Sequence, residues 1–141
     1  MSGTDGWVGP RFDLPVVEPE SEPYWAALRE GRLLLRRCAD CGAYHHYPRP
    51  FCPHCWSDDV EWVDAAGGAT LYSHSMVFVN DLPPFGPQVP YIAAVVELDE
   101  GPRMMTRVVD CDPAELKIGM RLRLRTEPVT DEISMAVFAP E

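Results

Sequence analysis

Positive charge is scarce in this 141-residue sequence: 12 Lys and Arg stand against 22 Asp and Glu, for a formal charge of −10. A field of that sign repels phosphate backbones at long range and argues against a nucleic-acid partner. Long apolar runs are missing too. None approaches the roughly 20 residues that a bilayer crossing requires, so no membrane span is expected. The opening stretch MSGTDGWVGPRFDLPVV lacks the basic start and continuous apolar segment of a secretory signal. The expected location is cytoplasmic, where thiols stay reduced. There is no P-loop, no G-x-G-x-x-G, no G-x-S-x-G and nothing resembling a catalytic triad, so no self-contained catalytic chemistry is legible. Internal repeats and low-complexity segments are absent as well. With 46% hydrophobic and 24% charged residues, the chain is globular and long enough for one real core.

What is present begins at residue 37 with RCADCGAYHHYPRPFCPHC. Four of the five cysteines form two C-x-x-C pairs, Cys38/Cys41 and Cys52/Cys55, ten residues apart. Zinc takes four soft ligands in a tetrahedron, and two such knuckles supply them. Rubredoxin-type iron uses the same four sulfurs, so the spacing alone leaves the metal open. His45, His46 and His54 lie nearby, but four cysteines already fill the tetrahedron. A closed four-cysteine site has no open position for water or substrate, so the metal is read as structural. Residues 24 to 56 carry five arginines against two acids, a local +3, while the remainder sums to −13. Arg36, Arg37 and Arg49 in this basic island would partly compensate a tetrathiolate zinc of net charge about −2.

Residues 1–23 read as an extended arm broken by Pro10, Pro15, Pro19 and Pro23. Residues 24–64 hold a helix and the ribbon. The helix runs from about Glu22 to Glu30, with Ser21 as cap and Gly31 as stop, and RLLLRR follows as the strand that delivers Cys38. Ala65 to Ala69 (AAGGA) is the clearest hinge and opens the third region, 65–141. There the period becomes two. TLYSHSMVFV is a strand with Leu71, Ser73 and Val77 on one face and Tyr72, His74 and Met76 on the other. YIAAVVEL reads as fully buried, RMMTRVV and MRLRLRTE follow, and ISMAVFA is the fifth strand. Asp112 caps a short helix between the third and fourth, with Pro113 at its first position. The expected class is mainly β: an N-terminal helix, a rubredoxin-like zinc ribbon, then a five-stranded OB-fold barrel.

Outside the ribbon, Cys111 is the remaining thiol, read as a small residue at a strand end because only His74 offers a strand-borne base. Arg121, Arg123 and Arg125 share one face of the fourth strand. They suit either phosphate contact or an ordinary half-exposed strand, with the latter favoured. The rigid apolar loop LPPFGPQVPY places Phe85 and Tyr91 where they can dock on a partner. Trp7, Phe12, Tyr24, Trp25, Phe85 and Tyr91 together are read as more aromatic surface than a monomer leaves wet.

The ordered series PYWAALREGRL, RCADCG…PRPFCPHC, GGATLYSHSMV, PYIAAVVELDEGPRMMT and CDPAELKIGMRLRL resembles one family over residues 22 to 140. It is similar to the acyl-CoA-associated rubredoxin-like zinc-ribbon/OB-fold proteins catalogued as domain of unknown function 35. The resemblance implies one structural zinc per chain on Cys38, Cys41, Cys52 and Cys55. It further implies an auxiliary subunit for a thiolase-like, lipid-transfer-type enzyme acting on acyl-CoA thioesters, in some cases together with a hotdog-fold hydratase. Catalytic residues would belong to the partner. Trp25, Phe85, Tyr91, Arg121, Arg123 and Arg125 are the candidate contacts to partner or acyl-CoA. The rival is a zinc-ribbon/OB-fold nucleic-acid-binding protein, against which the charge speaks.

Overall fold

A computed structural model describes residues 13–141; Trp7 and Phe12 lie outside them. Helix α1 (Glu22–Arg29) leads into a three-stranded antiparallel sheet of β1 (Leu34–Cys38), β2 (Tyr44–His45) and β3 (Val60–Asp64), in the order β2-β1-β3. A closed barrel follows, built from β4 (Gly68–Val77), β5 (Tyr91–Leu98), β6 (Arg103–Val108), β7 (Arg121–Pro128) and β8 (Ser134–Pro140). Its order is β4-β5-β6-β8-β7. Every pairing is antiparallel except β6 with β8, which meet in parallel through one residue pair, Val108 and Phe138. Val109 N–H reinforces that seam by donating to the Phe138 carbonyl at 2.8 Å, and Thr106 Oγ1 by donating to that of Ala136 at 2.9 Å. No helix among the described residues is long and apolar enough to cross a membrane.

The fold class and strand order agree with the sequence reading; several local expectations do not. In β4 the phase reverses. Leu71 pairs with Val96 and Ser73 with Val95, which leaves Tyr72 as a bulge residue. An extra residue flips the alternation, so Leu71 and Met76, expected on opposite faces, both pack on the core. Strand β5 was expected to be buried throughout, yet it alternates, with Ile92, Ala94, Val96 and Leu98 inside and their neighbours half-covered. A barrel strand has one inner and one outer face however apolar its sequence. The short helix before β7 is a single 3-10 turn, Pro113–Glu115, with the Asp112 side chain accepting from Ala114 N–H at 3.0 Å as its cap.

Ser21 stands before α1 and its carbonyl accepts from Trp25 N–H at 3.3 Å, but its side chain accepts no hydrogen bond from the helix. Its hydroxyl donates instead to the Glu18 carbonyl at 3.2 Å. Tyr24 is not wet surface: it is 4% exposed and belongs to the core, because it sits on the inward stripe with Leu28. That core is continuous. Tyr24 and Leu28 of α1 and Leu33 and Leu35 from the ribbon strand join Leu71, Val96, Leu122 and Phe138 of the barrel in one cluster.

Candidate metal centre and the surfaces around it

The two knuckles are built alike. Cys38 N–H donates to the Ala43 carbonyl at 2.8 Å and Gly42 N–H to the Cys38 carbonyl at 2.9 Å. In the second knuckle, Cys52 N–H donates to Ser57 at 2.7 Å and Trp56 N–H to Cys52 at 2.9 Å. Each turn needs a left-handed residue after its second cysteine. Gly42 provides φ of 78° and Trp56 provides 67°, a conformation that crowds Cβ in any residue but glycine. Trp56 is 74% exposed and stacks on Phe51 with ring centres 5.3 Å apart. Sequence reasoning identified Gly42 and missed Trp56. Superposing the two C-x-x-C turns residue by residue would have exposed it.

The four sulfurs converge. Cys38 Sγ lies 3.5 Å from Cys55 Sγ and Cys41 Sγ lies 3.6 Å from Cys52 Sγ. All four atoms fall within 4.8 Å of one another. A regular tetrahedron with Zn–S of about 2.3 Å has sulfurs about 3.8 Å apart, so the donor set fits one structural zinc per chain. Backbone amides also face the sulfurs: Cys41 N–H donates to Cys38 Sγ at 3.4 Å and His54 N–H to Cys52 Sγ at 3.3 Å. The Cys41 amide, ahead of other contacts, pulls the Cys38 thiol down to about 7, towards the thiolate that a metal binds. Against their backbone contacts to Ala43 and Ser57, Cys41 and Cys55 are held above the usual thiol value by burial and hydrogen bonds among the sulfurs.

No histidine joins this group. His54 is exposed, and His45 is buried with Nε2 accepting from Arg49 N–H at 3.3 Å. His46 Nε2 and Tyr24 Oη share a 2.9 Å hydrogen bond. Burial drives His46 down to about 4, with His45 adding to the effect, and raises Tyr24 above the ordinary phenol range. The bond therefore joins two neutral groups and packs α1 onto the ribbon. The unfolded chain takes up a proton near pH 6.5 that folded His46 refuses until about pH 4. This contribution is intact above pH 6.5 and is lost as pH falls towards 4, by up to about 3 kcal/mol. Denaturant titrations from pH 7 to 4.5, with zinc content followed, should show a flatter pH slope for His46→Gln than for wild type. Equal slopes would remove His46 from the account.

Arg36 lies 3.8 Å over the Trp62 ring and donates to the Val60 carbonyl at 3.3 Å. Val60 is the residue paired with Cys38, so this cation stands beside the sulfur cluster. Farther off, the three β7 arginines share an exposed face, and each has a partner within the chain. Arg121 makes a two-pronged contact to Asp99 at 2.8 and 3.0 Å, Arg123 donates to the Ala66 carbonyl at 3.1 Å, and Arg125 pairs with Asp110. Trp25 is half-buried, its indole N–H donating to Tyr47 Oη at 3.1 Å. Phe85 and Tyr91 are half-buried beside Arg107. The Cys111 thiol donates to the Asp112 carbonyl at 3.4 Å, and burial, with Glu115 and Asp112 adding, holds its pKa above the usual thiol value. A nucleophile needs the opposite shift.

Comparison with known proteins agrees with this architecture. Residues 25–61 match the ChsH2 rubredoxin-like zinc ribbon domain, and residues 62–127 match the ChsH2 C-terminal OB-fold domain. A DUF35 domain-containing scaffold protein of Methanocaldococcus jannaschii is 34% identical over 100 residues, covering 70% of each chain. A probable enoyl-CoA hydratase alpha subunit of Thermomonospora curvata is 36% identical over 126 residues. That match takes in 89% of this chain but 39% of the hydratase subunit, so the chain spans about two-fifths of that relative's length. Among solved structures, a chain of an Ltp2-ChsH2(DUF35) aldolase superposes with a TM-score of 0.79 at 35% identity, covering 90% of this chain and 98% of that one. Two successive domain matches, a scaffold relative aligned over most of its length and a fold shared end to end place this chain in the DUF35 family of zinc-ribbon/OB-fold proteins.

Proposed function

We propose that this chain is an auxiliary subunit that binds and stabilises a thiolase-like, lipid-transfer-type enzyme, which forms or cleaves C–C bonds on acyl-CoA thioesters. The observation that carries the reading is the end-to-end likeness to a chain of an Ltp2-ChsH2(DUF35) aldolase, together with the match to both ChsH2 domains. In this reading Cys38, Cys41, Cys52 and Cys55 ligate a zinc that holds the ribbon against α1 and the barrel. The partner supplies the catalytic groups. Trp25, Phe85 and Tyr91 belong to the docking surface, and Arg121, Arg123 and Arg125 serve it by keeping β7 in register. Five cysteines outside any disulfide suit a reducing cytosol.

The names of hydratase relatives favour a second partner, a hotdog-fold hydratase joining the same assembly. The nucleic-acid alternative loses ground because its best cationic strand is occupied by Asp99, Asp110 and a backbone carbonyl. Co-expression with a thiolase-like protein from the same organism tests the reading. One peak in size exclusion is expected, with acyl-CoA cleavage that drops at least about tenfold when this chain is omitted. Separate elution, or cleavage indifferent to this chain, would refute it.

A further inference from the structure

Tyr91 apart, the outer face of β4, β5 and β6 has no assigned role. Residues paired across neighbouring strands point to the same side, so the register fixes what that face presents. Val95 stands beside Met105, Ala93 beside Arg107 in the next row, and Tyr91 one row beyond. Met105 is 81% exposed. A shallow trough of about 160 Å³ runs alongside it over Ala93 and Val95. At its end the Arg107 guanidinium lies 3.9 Å over the Tyr91 ring and 5.3 Å from that of Phe85, with Nη1 donating to Gln88 Oε1 at 2.8 Å. Arg32, Arg37, Arg103, Arg121 and Arg125 each meet a carboxylate. Among the described residues Arg107 meets none, as is also the case for Arg29, Arg36, Arg49 and Arg123, but Arg107 stands at the edge of an exposed apolar strip. Past the end of β4, Phe78 and Val79 are 69% and 76% exposed.

Two deficits coincide here. A half-buried cation held on an aromatic ring has no anion, although the chain carries a net charge of −10, and the apolar strip around it has no cover. Scattered exposed apolar side chains need no explanation, but a strip built round an uncompensated cation does. A carboxylate set among apolar side chains meets both needs at once. The trough is smaller than the roughly 300–1,000 Å³ of small-molecule sites, which favours a protein surface over a free ligand. The geometry points to this face as the docking surface for an acidic, apolar strip of the partner enzyme. Arg107 receives the carboxylate, and Met105, with Val95 beside it, is its apolar anchor. The inference rests on the partner reading above and adds the face used and the chemistry it selects.

The test measures affinity for the thiolase-like protein at two salt concentrations, using the full zinc-loaded chain. The variants are Arg107→Gln, Met105→Ser and, as an exposed apolar residue off this face, Ile118→Ser. The first two should each weaken binding at least about tenfold, with melting temperature and zinc content unchanged. Arg107→Gln should also flatten the salt dependence, and Ile118→Ser should stay within about twofold of wild type. Wild-type affinity in both Arg107→Gln and Met105→Ser, or loss in Ile118→Ser alone, overturns the inference and leaves the partner reading standing. A wild-type chain that does not associate removes both. Two further results assign the face elsewhere and overturn the inference. One is an isolated chain that runs as a dimer and is split by Met105→Ser. The other is coenzyme A binding to the isolated chain that Arg107→Gln abolishes.

Discussion

Replacing Cys52 by Ser should strip the zinc and leave the chain insoluble. Cys52 is fully buried, its sulfur lies 3.6 Å from that of Cys41, and the His54 amide points at it. A serine hydroxyl there cannot complete a soft four-sulfur set. Structural zinc contributes on the order of 10 kcal/mol in small sites, against a total stability of about 5–15 kcal/mol for a domain. Cys38→Ser should behave the same way, since Cys38 is equally buried. Cys111→Ser supplies the contrast: one zinc per chain and stability within about 1 kcal/mol of wild type. Elemental analysis and soluble yield give the readouts. A folded Cys52→Ser protein with full zinc, or a red iron spectrum from native material, would contradict the assignment.

Leu35→Ala should cost about 2–5 kcal/mol and lower the stability of ribbon and barrel together. Leu35 sits in β1, a ribbon strand, and is 1% exposed because it packs into the cluster that includes Leu71 and Phe138. A cavity there removes contacts from both sides of the cluster, so fluorescence, far-ultraviolet dichroism and zinc release should trace one transition. Separate transitions, with only the ribbon destabilised, would mean that the two parts fold independently.

Much of this architecture could be read in the chain because its signals are local. Two C-x-x-C pairs fix the knuckles, and Asp112-Pro113 fixes a cap. Alternating Arg and Leu fixes the two faces of β7. What could not be read depends on pairing or on three-dimensional neighbours. The bulge at Tyr72 arises from how β4 meets β5, and nothing in TLYSHSMVFV marks it. Tyr24 reads as a surface aromatic until α1 is seen lying against the barrel, with His46 as its hydrogen-bond partner. The β7 arginines have the right spacing for phosphates, but the carboxylate partners of Arg121 and Arg125 come from 22 and 15 residues away in sequence, which no motif encodes. Trp56 was hidden by its identity, since a left-handed turn is looked for at glycine.

The barrel closes through a single parallel bridge between Val108 and Phe138, while β5 holds six residues of β6 on the other side. A cylinder with one weak stave has a preferred place to breathe. Local opening concentrates where backbone bonds are fewest, so the amides of β6 on its β8 side exchange with solvent before the rest of the barrel. Arg107 and Met105 stand on that same strand. An enzyme bound across the outer face would stiffen the seam without touching it, and part of its affinity would be spent as lost motion inside a barrel it never enters.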